Sequence, residues 1–343
     1  MNRRAALAIL AATAGGTLLG GCGPRETARP AAKDEPPSSG RKRIRFATDW
    51  RAQAEHGGFY QALAAGEYAR RGLDVEIVQG GPGVNVPQLL ASGAVELGMG
   101  SNSFIVLNLA QERVPVRAVA AFFQKDPQVL LAHPDPSLKS IADLKGRPFL
   151  LSDASVTAFW VWLKAKYGFE DSQVRKYNYN LAPFLADPRA VQQGYLTSEP
   201  YTVEKEAGFK PRVFLLADEG YPSYATMVLA PDRLIDGDPA AVRAFVDASA
   251  AGWKAYLGGD PKAADDLILK DNPEMTRDLL TQARAKLKTY DLVGDQPGLM
   301  TDERWQAFFE VASSQSVYPK DMDYRRAYTL EFVTSAPPPS PGQ

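Results

Sequence analysis

Residues 44–101 read IRFATDWRAQAEHGGFYQALAAGEYARRGLDVEIVQGGPGVNVPQLLASGAVELGMGS. The first six residues alternate as in a strand, and residues 58–71 then carry apolar side chains at helical spacing up to Gly72, a residue suited to a helix C-terminus. The same stretch predicts further strands at 74–78 and 95–99 and a helix at 87–92. Repeated strand–helix–strand units of this length predict an α/β fold with mainly parallel sheet covered on both faces.

A second strand–helix cycle follows a short interruption, QKDPQ, at residues 124–128. It is flanked by predicted strands at 116–123 and 129–133, and continues with strands at 149–151, 175–180 and 212–217 and helices at 157–167 and 199–207. A return strand is predicted at 227–230. Beyond it the pattern is helical, with caps expected at Asp238, Asp260, Asn272 and Thr301. Two α/β halves joined by two extended crossings predict a hinged clamp.

Cys22 is the only cysteine of the chain, and it follows an apolar run at residues 5–19. Arg3 and Arg4 precede a run too short to span a bilayer, and Leu-Gly-Gly-Cys at 19–22 resembles the lipobox of lipoprotein signal peptidase. We therefore predict a lipoprotein signal peptide at 1–22 and an exported protein, anchored by a lipidated Cys22 at the periplasmic face of a membrane. An ordinary secretory signal is the alternative, and the arginine pair leaves both Sec and twin-arginine export open.

Composition sets the remaining boundaries. Segments rich in Pro, Ala and Ser predict a disordered tether at 23–42 and a disordered tail at 335–343. Between them we predict two lobes, the first formed by 43–131 plus 227–334 and the second by 132–226. The 39 Lys and Arg against 40 Asp and Glu give a net charge of −1, which provides no electrostatic basis for binding nucleic acid.

Few residues are available for catalysis. The chain has two histidines, His56 and His133, one cysteine at the signal, and no HExxH, CxxC or GxSxG motif. The sequence therefore lacks the residue motifs that zinc hydrolysis, thiol chemistry and α/β-hydrolase chemistry require. Residues 98–103 miss the third glycine of a dinucleotide fingerprint, and residues 80–83 lack the Lys-Ser or Lys-Thr of a phosphate loop. We predict no enzyme activity, no cofactor and no metal.

Four tracts together carry a family resemblance: residues 49–101, AVAAFFQKDPQVLLAHP at 118–134, SIADLKGRP at 140–148 and GYLTSEPY at 194–201. They resemble the solute-binding proteins of ABC importers for nitrate, sulfonates and thiamine pyrimidine precursors, and most closely the thiamine-precursor branch. The resemblance implies a type II periplasmic-binding-protein-like clamp, with two doubly wound α/β lobes joined by two hinge crossings. It also implies a monomer that captures a small heteroaromatic solute and an ABC permease with its ATPase subunit as partners.

The resemblance leaves several alternatives open. Riboflavin, sulfonate and nitrate receptors share the fold, and a pyrimidine-synthase-like enzyme or a membrane sensor subunit would use the same clamp. In the thiamine-precursor branch the first loop reads Asp-Trp-x-Pro-Asn-x-Asn-His. Asp49, Trp50 and His56 match that pattern, whereas Ala52, Gln53 and Glu55 depart from it. The departures leave the pyrimidine itself open and keep room for another flat, nitrogen-rich ring.

Ligands of open parallel sheets bind at the carboxyl ends of strands, where the tracts at 49–60 and 194–201 fall. Glu199 can accept paired N–H donors from an aminopyrimidine edge, with Tyr195 or Tyr179 as a stacking face, or it can simply favour a helix N-terminus. Ser152 and Thr157 can offer donors or cap a helix. The predicted ligand-binding residues are Asp49, Trp50, Gln53, His56, Tyr60 and Asn102 from the first lobe, and Ser152, Thr157, Tyr179, Tyr195 and Glu199 from the second.

Overall fold

The computed structural model describes residues 40–81 and 83–333. The predicted signal peptide, the lipidation site Cys22, nearly all of the tether and the tail lie outside the described residues. The last tether residue, Lys42, instead opens the first strand. Within the described part of the chain, no helix combines the length and apolar character needed to cross a bilayer.

The first sheet has five strands in the order β2-β1-β3-β10-β4. Its strands are β1 Lys42–Ala47, β2 Leu73–Val78, β3 Leu97–Asn102, β4 Val116–Phe123 and β10 Ala225–Pro231. Strand β1 pairs in parallel with β2 and β3, whereas β10 is antiparallel to both β3 and β4. The sheet is therefore mixed rather than mainly parallel, because the return strand inserts between two strands of the first half.

The second sheet also has five strands, in the order β7-β6-β8-β5-β9. Its strands are β5 Gln128–Ala132, β6 Phe149–Leu151, β7 Val174–Lys176, β8 Val191–Tyr195 and β9 Arg212–Leu215. Strand β6 is parallel to β7 and β8, and β5 is antiparallel to β8 and β9. All of β5 belongs to this sheet, so the chain crosses over before Gln128, whereas the first lobe was predicted to extend to 131.

Two segments connect the sheets. We call residues 124–127, between β4 and β5, the first crossing, and residues 216–224, between β9 and β10, the second crossing. An α/β fold with two crossings confirms the predicted fold class. The exact division of the chain into two lobes stays a prediction.

Helices cover the sheets. They are α1 Gly57–Ala64, α2 Glu67–Arg70, α3 Val86–Ala91, α4 Ser103–Gln111, α5 Asp153–Val156, α6 Phe159–Tyr167, α7 Ala182–Ala186, α8 Glu199–Ala207, α9 Asp232–Gly237, α10 Pro239–Gly258, α11 Lys262–Asp271, α12 Arg277–Thr289 and α13 Asp302–Ser314. The helix predicted over 58–71 is two helices, because Gly66 adopts φ 72° between them. The cap predicted at Asn272 is wrong: its amide donates to the Ala52 carbonyl at 2.8 Å, and α12 is capped by Thr276.

Helices α1 and α10 approach closely because three glycines lie at their contact. A Cβ atom on Gly58 would lie 2.2 Å from the Trp253 ring, and one on Gly252 would lie 2.1 Å from the Gly58 carbonyl oxygen. Gly57 meets the Tyr256 ring in the same way. The Gly57-Gly58 pair inside the predicted ligand loop is therefore explained by helix packing, and this packing fixes the loop that precedes α1.

Candidate ligand-binding cavity

A cavity of about 380 Å³ lies between the two sheets, within the size range of small-molecule sites. The loops after β1 and β3 line it from the first sheet, and the loops after β6, β7 and β8 line it from the second. Because β5 is antiparallel to β8, with Gln128 opposite Tyr195, the start of β5 reaches the same edge. The topology thus brings both crossings and five strand ends to one place.

Nine of the eleven predicted binding residues line this cavity: Asp49, Trp50, Gln53, Asn102, Ser152, Thr157, Tyr179, Tyr195 and Glu199. They come from both sheets, as a clamp requires. The other two, His56 and Tyr60, do not line it. Whether any of the nine contacts a ligand stays a prediction, but the predicted residues do converge on one cavity.

His56 lies behind the cavity wall. Its ring is fully buried, and Nε2 lies 3.3 Å from an Asp49 carboxylate oxygen. The other Asp49 oxygen accepts a hydrogen bond from the Ser101 hydroxyl. His56 and Ser101 therefore hold the Asp49 carboxylate from two sides, so His56 acts on the cavity through Asp49.

Tyr60 is also buried away from the cavity. Its hydroxyl donates to Asp271, the last residue of α11, at 2.9 Å. Tyr60 sits in the middle of α1, one turn beyond the loop that carries Asp49 and Trp50. Helical periodicity turns its side chain toward α11, which explains why a residue close in sequence to the cavity does not reach it.

Two aromatic rings join the sheets across the cavity. Trp50, after β1, and Tyr179, after β7, have ring centroids 5.5 Å apart at an angle of 39°. Tyr179 is 58% exposed and adopts φ 56°, a left-handed conformation that is costly for a tyrosine. An exposed aromatic ring held in a strained conformation next to a cavity is typical of a binding residue.

Glu199 is the first residue of α8 and is half-buried in the cavity wall. One carboxylate oxygen accepts a hydrogen bond from the Tyr195 amide at 2.8 Å. Burial raises the pKa of Glu199, the Tyr195 amide opposes this shift, and the neighbouring Glu55 carboxyl adds to it. One oxygen of Glu199 is thus bound at the start of α8, as the helix-terminus interpretation predicts, and the carboxyl group also lines the cavity.

Two of the predicted binding residues, Asn102 and Ser152, cap helices with their side chains. Asn102 accepts from the Phe104 amide at 3.1 Å and caps α4, while Ser152 accepts from the Ser155 amide at 3.3 Å and caps α5. Thr157 donates to the Ala154 carbonyl at 3.2 Å. Their side-chain oxygens are therefore already used locally, although all three residues line the cavity.

Sequence reasoning missed several polar residues of the cavity, among them Glu55, Asp126, Gln193 and Tyr221. Glu55 accepts a hydrogen bond from Thr197, and burial raises the pKa of Glu55 while the Thr197 hydroxyl opposes the shift. Gln193 accepts from the Ser152 amide at 2.6 Å. The QKDPQ tract could have indicated Asp126 only if the antiparallel direction of β5 had been known.

The cavity is strongly acidic. Asp49, Glu55, Asp126 and Glu199 all line it, and among the described residues that line it none is Lys, Arg or His. No group of His, Cys, Asp and Glu side chains in the described ranges is arranged to hold a metal ion. The cavity therefore offers hydrogen-bond acceptors and negative potential, which suits a neutral or cationic ligand rich in donors.

Comparisons with known proteins agree with this geometry. A family model described as NMT1/THI5 like matches residues 53–264. The riboflavin-binding protein RibY of Chloroflexus aurantiacus is 26% identical over 322 residues, which cover 90% of each chain. The formylaminopyrimidine-binding protein of Halalkalibacterium halodurans is 26% identical over 245 residues, covering 68% of this chain and 72% of that protein.

Solved structures share the fold at lower identity. The periplasmic aliphatic sulphonate binding protein SsuA of Escherichia coli superposes with a TM-score of 0.60 at 14% identity, over 84% of this chain and 92% of that one. The desulfurization enzyme DSZB gives a TM-score of 0.55 at 12% identity, over 85% of this chain and 98% of that one. These likenesses establish the fold, which binding proteins and an enzyme both use, so the cavity has to decide the function.

Proposed function

The chain belongs to the NMT1/THI5-like family, and from this premise we propose that it is the solute-binding protein of an ABC importer. It captures one small heteroaromatic molecule between its two sheets and presents the closed form to a permease with an ATPase subunit. The names of the two relatives, a riboflavin-binding and a formylaminopyrimidine-binding protein, support a nitrogen-rich aromatic ligand.

The acidic cavity is the observation that carries the proposal. Its carboxyl groups are hydrogen-bond acceptors, and the aromatic pair Trp50 and Tyr179 supplies ring faces on which a flat ligand can stack. A thiamine pyrimidine precursor and riboflavin both combine a flat ring with N–H donors. We favour the precursor, and the RibY likeness keeps riboflavin as the second candidate.

The same charges argue against the anionic members of the wider group. A sulfonate or nitrate would be bound next to Glu199 and Asp126, and residues 40–81 and 83–333 place no cationic side chain on the cavity wall. Burying an anion without a paired charge or a dense set of N–H donors is costly. We therefore place sulfonate and nitrate outside the ligand range of this cavity.

Ligand binding closes the clamp by contacting both sheets at once. A ligand shifts an open–closed equilibrium only by its difference in affinity for the two forms. We propose that Trp50 and Gln53 contact it from the first sheet and Tyr179, Tyr195 and Glu199 from the second. Hinge bending at the two crossings then lets the ligand enter and leave.

The remaining parts of the proposal concern location and chemistry. A lipid on Cys22 would anchor the exported protein beside its permease, with the segment 23–42 as the tether. The subunit makes and breaks no bond in this proposal: the cavity combines acceptors and aromatic rings, and the Ser101 hydroxyl that contacts Asp49 serves to hold that carboxylate in place.

The test is native mass spectrometry of residues 23–343, offered hydroxymethylpyrimidine, formylaminopyrimidine, thiamine, riboflavin, taurine and nitrate. We expect a one-to-one adduct with a heteroaromatic compound and none with taurine or nitrate. Trp50→Ala is the matched variant and should lose most of the adduct. Binding of taurine or nitrate alone would contradict the ligand class, and no adduct with any compound would contradict the receptor itself.

A further inference from the structure

Asp126 is a buried carboxyl group in the first crossing, and its side chain is 1% exposed. It lines the cavity, and Oδ1 accepts a hydrogen bond from the Gln128 amide at 3.0 Å. Oδ2 has no hydrogen-bond partner among the described residues. The nearby Ser223 hydroxyl donates instead to the Tyr224 carbonyl at 2.8 Å.

Besides the Gln128 amide, the groups that favour the charge of Asp126 are the Ser223 hydroxyl and the Arg304 guanidinium. The Arg304 guanidinium attracts it from a distance, but Arg304 donates to the carbonyls of Pro222 and Ser223, at 3.0 and 2.9 Å. Burial, and after it the charge of Asp126, raises the pKa of the Tyr195 and Tyr221 phenols. A buried acceptor at a cavity wall needs a donor from the cavity side, so Oδ2 of Asp126 marks a place where an N–H group of a solute can be bound.

We propose that Asp126 is a specificity-determining residue that accepts a hydrogen bond from an amino or ring N–H group of the solute. Asp126 leads into β5 and Glu199 follows β8, and these two strands are neighbours. Adjacent strands lie about 5 Å apart, so the two carboxyl groups can bind donors at two places on one flat ring. This inference rests on the proposed function and narrows its ligand to molecules with two donor sites.

The specificity follows from the acceptor. A solute with an N–H group at this position gains a charge-assisted hydrogen bond, whereas an analogue with a carbonyl oxygen there places two acceptors against each other. A site with a buried polar group strongly rejects a ligand that leaves this group without a hydrogen bond. An apolar pocket discriminates much less between ligands that differ only in size. Asp126 thus selects the aminopyrimidine over its deaminated, oxo form.

The same geometry links binding to pH. Burial raises the pKa of Asp126 to about 7, although the Gln128 amide, Ser223 and Arg304 oppose the shift. A donor ligand binds the ionised carboxyl, so the affinity is full above this pKa and falls below it, where binding must first remove a proton. Between pH 8 and pH 6 this linkage weakens binding about tenfold.

The experiment is titration calorimetry of wild type and Asp126→Asn with 4-amino-5-hydroxymethyl-2-methylpyrimidine, its 4-oxo analogue and riboflavin at pH 6 and pH 8. Ionisation of the probe itself is common to both proteins, so their difference isolates Asp126. We expect the wild type to lose about tenfold more affinity than the variant on going to pH 6, and to prefer the amino over the oxo compound. Asp74→Asn, at an exposed position of β2 outside both crossings, is the control and should behave as wild type.

Asp126→Asn keeps the size of the side chain and removes a buried charge, so the variant should fold with a higher melting temperature at pH 8. Proton release on binding can be measured for the wild type alone, by calorimetry in two buffers of different ionisation enthalpy. This measurement tests the role of Asp126 without a variant. Equal pH dependence in both proteins, or affinity that rises as the pH falls, would overturn the assignment of Asp126. Failure of the wild type to bind any probe is a different result, and it would overturn the proposed function together with this inference.

Discussion

Two regions of contact between the sheets, the second crossing and the start of α8, are built differently. The second crossing is fixed largely through its backbone: the Tyr224 amide donates to Ser103 at 3.0 Å, the Ser103 amide donates to Ser223 at 3.2 Å, and Arg304 donates to two carbonyls of the crossing. The guanidinium of Arg304 also lies 4.0 Å from the centre of the Tyr224 ring. None of these contacts needs the cavity to be closed.

The start of α8 makes the other contact, which we call the α8 latch, and it relies on side chains. The Thr197 hydroxyl donates to Glu55, the side-chain amide of Gln282 donates to the Thr197 backbone carbonyl, and the exposed Asp278 accepts from Tyr201 and Lys205. Side-chain contacts across a cavity can open and re-form, whereas a crossing with bonded backbone acts as a pivot. The difference indicates where the protein bends and where it opens.

Arg304→Ala should have the largest effect and should act on the pivot. It leaves the carbonyls of Pro222 and Ser223 without their donor and removes the cation from the Tyr224 ring. We expect the free energy of unfolding to fall by about 3 kcal/mol, measured by urea denaturation. Arg304→Lys should recover only part of this loss, because a lysine cannot donate to both carbonyls in one plane. A loss of ligand affinity at unchanged stability would contradict the pivot.

Glu199→Ala should come next, with its effect on binding. It removes a cavity carboxyl group, so we expect the free energy of binding to weaken by more than about 1.5 kcal/mol for a heteroaromatic ligand, measured by calorimetry. Glu206→Ala, an exposed position on the same helix, is the matched control. Unchanged affinity in the Glu199 variant would remove this residue from the site.

Thr197→Val tests the α8 latch alone, because it changes the contact with Glu55 and none of the proposed ligand-binding residues. The valine keeps the shape of the side chain but cannot donate to Glu55, which then lies buried without this donor. We expect the closed form to lose about 1 kcal/mol, seen as roughly fivefold weaker binding and as a larger radius of gyration in X-ray scattering. Thr202→Val, on α8 and with its hydroxyl bonded only to the Ser198 carbonyl among the described residues, is the control and should change neither quantity. A radius equal to that of wild type would show that the latch does not control closure.

Asp278→Asn should have the smallest effect. Its partners Tyr201 and Lys205 are bound at the surface, where both Lys205 and Asp278 are well exposed and screened by salt. We expect affinity to change by no more than about twofold at physiological salt. A larger loss would mean that the outer part of the latch is as important as the Glu55 contact.

The sequence predicted local structure well where local signals decide it. The bounds of β4, β6 and α8 agree with the predicted 116–123, 149–151 and 199–207. The Asn272 cap failed because an Asn-Pro pair also suits a turn, and only the contact with the Ala52 carbonyl distinguishes the two. The residues of a strand do not show whether it pairs in parallel or antiparallel with its neighbours. The mixed character of both sheets was therefore not predicted.

The cavity shows the same limit. Strand-end motifs identified Trp50, Tyr179 and Glu199, because the carboxyl ends of parallel strands are a general place for ligands. Asp126 precedes a strand, and it reaches the cavity only because β5 runs antiparallel. His56 was predicted to lie in the cavity but lies behind it, because a residue that supports a cavity residue has the same polar character as one that lines the cavity.

Strand β10 has a further consequence for the order in which the protein can fold. It lies between β3 and β4, although about a hundred residues separate it from them in the chain. While the chain is being made, the facing edges of β3 and β4 stay unpaired until residue 231 is available. Such long-range pairing makes folding slow, and unpaired edges are the surfaces that chaperones and aggregating neighbours bind. The first sheet therefore cannot be completed before the second half has been synthesised, and a fragment that ends before β10 should not be stable.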